Sequence, residues 1–305
     1  MTATTRAKWL LRWLVSAGLL AWILTRPELG QLGPALLRVN PWWVLAGLGC
    51  AGLNLALSAW RWQACLQALE LTIPIGRLCA ITLAGAAAGY FSFGSLGTDL
   101  ARVLLAGRCL PGRHAGILSS LVMDHASATP VVVLVVWLAA RAHGAIPVLH
   151  WPAMWIVAGS AIGLGLLIMV VRVKFRRWHL QMIRLFTDRA FWRGYLRAAW
   201  RSVPVWLTFC GIYYCAARAF GVVVPAVGFA GVIAIADGMA SLPITIAGLG
   251  VREQAFQSLL GKWYGVAPAL AVALSLTGFT LSLVWAAVGA VCVGDSLKTS
   301  ATVNS

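Results

Sequence analysis

Four of the eight carboxylates in this chain, Asp99, Asp124, Asp237 and Glu253, stand inside strongly apolar stretches or at their broken ends. A charge near the centre of a bilayer costs about 2.5 to 3.5 kcal/mol on insertion scales, so ionisable groups placed there line a polar cavity or pathway. Two of the four lie just after glycine-interrupted apolar segments, Phe93-Gly94-Ser95-Leu96-Gly97-Thr98-Asp99 and Ala247-Gly248-Leu249-Gly250-Val251-Arg252-Glu253. Gly97 and Gly250 are 153 positions apart, half of the 305-residue chain. Broken hydrophobic segments at matching places in two halves point to a transporter's binding site. Helices that begin after the breaks would offer free backbone amides, and Arg102 and Arg252 beside them carry the planar fork that suits phosphate oxygens. Asp99 and Glu253 would balance those cations, while Asp124, His125 and Asp237 would bind a proton or a cationic headgroup. The competing structural role for the same residues is a set of internal ion pairs that tie the broken segments to the helix bundle.

The elements that must hold these groups are membrane spans. Hydrophobic residues make up 61% of the chain and charged residues 10%, with a mean hydropathy of +0.85, values far from those of a soluble domain. The formal charge of +16 does not indicate nucleic acid, because the basic residues fall in short loops between apolar runs rather than on an aromatic-interleaved soluble surface. Eleven of the sixteen Trp residues lie near the ends of apolar runs, Trp42, Trp60 and Trp62 among them, where an amphipathic ring suits the interface. The seven Cys residues are scattered and contain no Cys-x-x-Cys pair, so they read as small apolar packers.

The fold expected is an all-α polytopic membrane protein of about six spanning helices and two re-entrant hairpins, arranged as an inverted repeat. The spans are Trp9–Leu24, Trp42–Trp60, Ala115–Ala140, Pro152–Val171, Val203–Phe220 and Ala267–Val293, each about long enough to cross roughly 30 Å of hydrocarbon. Trp9–Leu24 follows Arg6 and Lys8 like a signal peptide but lacks a small-x-small cleavage site, and is read as a retained helix. Leu78–Phe93 and Gly228–Ile246 are short, rich in Gly, Ala and Ser, and end in a Gly or Pro break, as hairpins packed inside protein require. The whole chain, 1–305, forms one membrane domain with halves at 1–151 and 152–305 and no soluble domain. Small and polar stripes mark inward faces: Gly47, Ala51, Asn54, Ser58 and Arg61 on the second span; Gly116, Ser120, Asp124 and Ser127 on Ala115–Ala140; Ser275, Gly278, Ser282 and Gly289 on the last. Such stripes are more often close-packing seams than substrate contacts, but packing does not require the acid at Asp124.

Around the breaks the residues carry a resemblance. Ser95-Leu96-Gly97-Thr98-Asp99-Leu100-Ala101-Arg102, then Ser119-Ser120-Leu121-Val122-Met123-Asp124, then Pro243-Ile244-Thr245-Ile246-Ala247-Gly248-Leu249-Gly250-Val251-Arg252-Glu253 resemble the motifs of the lysylphosphatidylglycerol synthase transmembrane-region family. This is the flippase-like membrane domain also found in the multiple peptide resistance factor. Arg61-Trp62 also resembles the family's pattern, so the likeness runs over most of the chain in the right order. One departure is His125, where the family usually has Arg; it replaces a fixed charge with a titratable one. The resemblance implies a lipid-handling protein of the bacterial cytoplasmic membrane, which translocates a phospholipid, lipid-linked sugar or hopanoid-like lipid. Its substrate-binding residues would be Arg61, Gly97, Asp99, Arg102, Asp124, His125, Asp237, Gly248, Gly250, Arg252 and Glu253. The chain ends at Ser305 without the aminoacyl-transfer domain of the two-part members, so it is not expected to make lysylphosphatidylglycerol itself.

The alternative from another class is an integral-membrane lipid-modifying transferase. Such enzymes cluster carboxylates around a divalent cation, whereas Asp237-Gly238 stands alone and the five His residues show no metal-ligand spacing. No metal or other cofactor is therefore expected, and without a nucleotide-binding loop of the Gly-x-x-x-x-Gly-Lys-Ser/Thr kind direct use of ATP is not expected either. A channel is disfavoured by the lack of a charged or carbonyl filter motif. The sequence leaves open a homo-oligomer.

With the amino terminus inside, eighteen Lys and Arg residues face the cytoplasm and six (Arg26, Arg38, Arg141, Arg218, Arg252 and Lys262) face out, in keeping with the positive-inside rule. Arg172–Arg201, opposed only by Asp188, is the densest block and would meet anionic lipids of the inner leaflet. Both termini and this block are therefore expected to be cytoplasmic. Single-Cys labelling checks it: modification of position 188 by an impermeant reagent from outside would overturn the arrangement.

Overall fold

The computed structural model describes residues 39–91, 94–142, 189–241 and 248–302, which form eight helices and no strand. In chain order they are α1 (Pro41–Ala68), α2 (Ile75–Phe91), α3 (Ser95–Cys109), α4 (His114–Ala142), α5 (Arg189–Ala219), α6 (Ala226–Ala240), α7 (Val251–Tyr264) and α8 (Pro268–Thr302). Two expected spans, Trp9–Leu24 and Pro152–Val171, lie outside the described residues, as does the first part of the basic block. Three of the other four coincide with helices long and apolar enough to cross a membrane: Pro41–Ala68, His114–Ala142 and Pro268–Val291. The remaining one, Val203–Phe220, falls in the second part of α5. That helix is described from Arg189 on, so the described part of the basic block continues directly into the span.

Local chemistry explains where these helices begin and turn. Pro41 opens α1 behind Asn40, whose side-chain oxygen accepts the Trp42 amide at 3.0 Å, a standard amino-terminal cap. In the first broken segment the reversal is at Gly94, with φ +62°, and its amide bonds back to the Gly89 carbonyl at 3.0 Å. Gly97, the glycine singled out from sequence, sits instead inside the first turn of α3 and is buried. In the second, Gly248 and Gly250 both take positive φ, +74° and +86°, immediately before α7.

Each expected hairpin proves to be only the first arm of a larger one. The described parts of Leu78–Phe93 and Gly228–Ile246 belong to α2 and α6, while α3 and α7 supply the returning arms and pack on them. Arms of 17 and 15 residues in the first hairpin, and 15 and 14 in the second, are about 21 to 26 Å long at 1.5 Å per residue. All fall short of the roughly 30 Å hydrocarbon core. Gly85 and Gly89 on α2 bring the first pair of arms together, since a Cβ on Gly89 would lie 2.9 Å from the Gly94 carbonyl and one on Gly85 3.1 Å from Arg102 Cγ.

The two halves share one plan: long helix, six-residue link, two short arms, brief link, long helix. Exchanging α1 with α5, α2 with α6, α3 with α7 and α4 with α8 maps the principal helix packings onto themselves. Thus α2 lies on α8 as α6 lies on α4, α4 on α5 as α8 on α1, and α3 on α4 as α7 on α8. The self-matching pair, α1 and α5, runs antiparallel. Gly47 lies against Cys215, the Asn54 amide donates to the Val205 carbonyl at 2.7 Å, Arg201 donates to the Trp60 carbonyl at 2.6 Å, and Gly194 meets Ala68. Equivalent helices side by side and antiparallel are the packing of an inverted repeat. The seam is close because its residues are small, which is what drives helix association where burial from water does not. Asn54 has a further job there. The same amide donates to the Thr208 hydroxyl at 3.1 Å, so it fixes a backbone and a side-chain group of α5 at once, one turn beyond Pro204.

Both turn glycines can be tested against each other. A Cβ on Gly94 meets nothing within 4 Å, whereas one on Gly248 would lie 3.0 Å from Ala240 Cα and 3.1 Å from its carbonyl. Gly94→Ala should cost about 1 to 3 kcal/mol, because its φ of +62° with ψ of −132° is open essentially to glycine alone, and Gly248→Ala, which adds the collision with Ala240 to its own positive φ, more. Thermal unfolding in detergent measures the order, and equal losses would contradict the geometry.

Candidate functional site

The sequence-predicted polar residues gather in two clusters, one in each half. In the first, Arg61 of α1 meets Asp124 of α4 in a two-toothed pair, with Nε at 2.7 Å from Oδ1 and Nη2 at 2.9 Å from Oδ2. Arg102 of α3 approaches the same carboxylate, its Nη1 3.7 Å from Oδ2. The neighbouring Trp62 is fully buried rather than interfacial, correcting the expectation from its place near the end of an apolar run. Its indole donates to the Ser120 hydroxyl at 2.9 Å, and its ring lies 5.5 Å from the Arg102 guanidinium carbon. Asp124 is wholly buried. One carboxylate therefore holds guanidiniums from two other helices, and the α4 stripe of Ser120, Asp124 and Ser127 is the seam on which this happens.

Asp99 does not balance Arg102, although three positions along α3 separate them. It pairs with His125 of α4 at 2.8 Å on a more open face, where the histidine side chain is 58% exposed. Arg102 turns inward over the groove left by Gly85, and that burial separates the two.

In the second cluster Arg252, in the first turn of α7, faces Asp237 of α6 at 4.0 Å, too far for a hydrogen bond. Its guanidinium carbon lies 5.7 Å from the Phe279 ring centre, and Tyr90 of α2 packs edge-on against the same ring at 5.1 Å. Tyr213, Phe256 and Phe229 continue the aromatic wall. Glu253 is not placed as the counter-charge to Arg252. One of its oxygens accepts the Gly250 amide at 2.6 Å and the other the Ser275 hydroxyl at 3.0 Å, so it caps α7 and ties it to α8. Gly248 and Gly250 supply the turn that presents Arg252.

Two buried guanidinium nitrogens, Arg102 Nε and Arg252 Nε, have no hydrogen-bond partner among the described residues. Buried donors are satisfied in the great majority of cases, so each such group asks for an explanation. Trp62, Tyr90, Tyr213 and Phe279 were not singled out as site residues from sequence. For Trp62 the signal was its place beside Arg61; the other three are brought in by tertiary packing alone and had none.

Helices of spanning length and apolarity, two short-armed hairpins and buried ion pairs at their packing faces define a polytopic α-helical membrane domain. The model of the lysylphosphatidylglycerol synthase TM region matches residues 9–289, and the chain belongs to that family. No curated protein matches it.

The two-toothed pair sets an order of stabilities. Asp124→Ala leaves two buried guanidiniums without their shared carboxylate and should cost about 3 to 5 kcal/mol. Arg61→Ala should cost less, because Arg102 remains beside the acid. Thermal unfolding of the purified variants in detergent checks this, and an Asp124→Ala protein as stable as the parent would remove the pair from the scaffold.

Proposed function

We propose that the protein translocates a phosphate-bearing lipid across the cytoplasmic membrane of a bacterium. The two hairpins are re-entrant and flank a polar route for the headgroup, while the acyl chains stay in hydrocarbon. Membership of a family of membrane domains linked to lipid handling supports the class. The observation that carries the finer reading is the pair of buried arginines with unused Nε donors, one beside each hairpin. A guanidinium already saturated by carboxylates has nothing left for a ligand. These two retain a donor each, and a phosphate oxygen is the acceptor that best matches it.

On this reading Arg102 and Arg252 are two stations for the phosphate, and Asp124 and Asp237 hold them when no lipid is bound. The antiparallel relation of α1 and α5 would place the stations at opposite depths, one facing each leaflet. The amino-terminal part of α5 rests on the inner leaflet. Arg189, Arg193, Arg197 and Arg201 recur every four residues there, and Trp192, Leu196 and Trp200 are 46%, 63% and 72% exposed. Such a combination of basic and apolar side chains suits an anionic interface.

Arg252→Ala should abolish movement of a fluorescent phospholipid in proteoliposomes while the protein still inserts and stays folded. Arg252→Lys should recover only part of it, because an ammonium cannot grip two phosphate oxygens in one plane. Full translocation by Arg252→Ala would overturn the phosphate role.

A further inference from the structure

The two ion-paired clusters differ in a way that indicates what the ligand carries besides phosphate. Arg61 and Asp124 are closed: two hydrogen bonds at 2.7 and 2.9 Å, with the Asp124 side chain 1% exposed. Arg252 and Asp237 are open. Their nearest charged atoms stand 4.0 Å apart, the Asp237 side chain is 42% exposed, and its carboxylate makes no hydrogen bond among the described residues. Arg252 meanwhile keeps a buried, unpartnered Nε. Each member of the open pair thus has unused capacity: a donor set on the guanidinium and an acceptor set on the carboxylate, side by side.

We infer that Arg252 and Asp237 form a two-point site for a zwitterionic headgroup in which a protonated primary amine lies a two-carbon link from a phosphate. The inference rests on the phosphate role proposed for Arg252 and adds the amine. A headgroup of this kind lays its own charges antiparallel to the protein pair, phosphate on Arg252 and ammonium on Asp237. The 4.0 Å gap sets the length of the link, because an amine carried much further from the phosphate would overshoot Asp237. A headgroup with hydroxyls in place of the amine would leave the Asp237 charge facing phosphate without a cation between them. The aromatic wall of Phe279, Tyr90 and Tyr213 lowers the water content around Arg252, which strengthens both charge contacts relative to bulk solvent. Glu253 does not compete for the amine, since both of its oxygens are occupied by Gly250 and Ser275.

The test uses the full chain in detergent and reads binding by the shift in unfolding temperature with ligand concentration. The probes are dihexanoyl phosphatidylethanolamine, dihexanoyl phosphatidylglycerol and free phosphoethanolamine. The parent protein should bind the ethanolamine lipid at least tenfold more tightly than the glycerol lipid. Asp237→Asn should weaken the former and tighten the latter, so that the two come within threefold. Asp237→Glu should keep the parent's order. Equal affinities in the parent, stabilisation by neither lipid, or a preference that survives Asp237→Asn would each overturn the amine assignment, as would equal loss of both lipids in that variant, which would make Asp237 only a support for Arg252. Free phosphoethanolamine binding as tightly as the lipid would uphold the two-point site and count against a lipid as its ligand. Failure of the translocation reading is seen separately, in proteoliposomes, because the binding order does not depend on movement of lipid.

Discussion

Asp124 is the group on which the first half of the molecule depends. Buried in α4 at the packing face of α1 and α3, it fixes Arg61 with two hydrogen bonds and holds Arg102 at 3.7 Å. In hydrocarbon, apolar burial gives helices little reason to associate, so close packing and polar contacts must do it. A buried pair of this kind adds little net stability over a well-packed apolar substitute, but breaking it is expensive. Its effect is therefore on specificity of arrangement: α1, α3 and α4 have one register in which neither arginine is left alone. Trp62, donating to Ser120 one turn before Asp124 on α4, locks the same register from the apolar side.

The scaffold is symmetric, yet the chemistry placed on it is not. The helix order and the principal packings repeat between the halves, but the position that matches Asp124 by place in its long helix falls near Gly278 of α8, which lies against the Tyr213 ring. Where the first half puts an acid at the seam, the second puts a glycine, and an aromatic ring fills the space. The acid of the second half appears on the hairpin itself, at Asp237. One half thus carries a sealed ion pair inside its bundle, and the other an open one between the arms of its hairpin.

The sequence was a good guide to class and to the segments where buried polar groups gather, and a poorer guide to partners. Hydropathy located the long helices because a spanning segment must be apolar over its whole length. The breaks were visible because only glycine takes the required backbone angles cheaply, although Gly94 and not Gly97 makes the first turn. Glycine content alone cannot say which of several glycines adopts positive φ. Partners were misread where helical spacing suggested a local pair: Asp99 and Arg102 are three apart, yet each bonds across to α4. Glu253, adjacent to Arg252, reads as its counter-charge until the Gly250 amide and Ser275 hydroxyl are seen to occupy it. Local spacing reports what can meet on one helix, while the partner is chosen by which neighbouring helix arrives at that face.

Close packing and the unused arginine donors have a common origin. Gly85 and Gly89 let α3 approach the backbone of α2, and Arg102 runs over that groove with its Cγ 3.1 Å from the site of an absent Cβ. The glycines of that groove carry no side chain and so offer the arginine's Nε no side-chain acceptor. The same small residues that hold the hairpin closed therefore deny Arg102 a second partner. Larger side chains in α2 would move α3 away and admit a side-chain acceptor, so the vacant donor is a direct consequence of how tightly the hairpin folds. Arg252 reaches a similar condition by another route, because the wall beside it is aromatic and offers ring faces rather than oxygen atoms. In both halves the neighbours stabilise the charge of the guanidinium without saturating its hydrogen bonds.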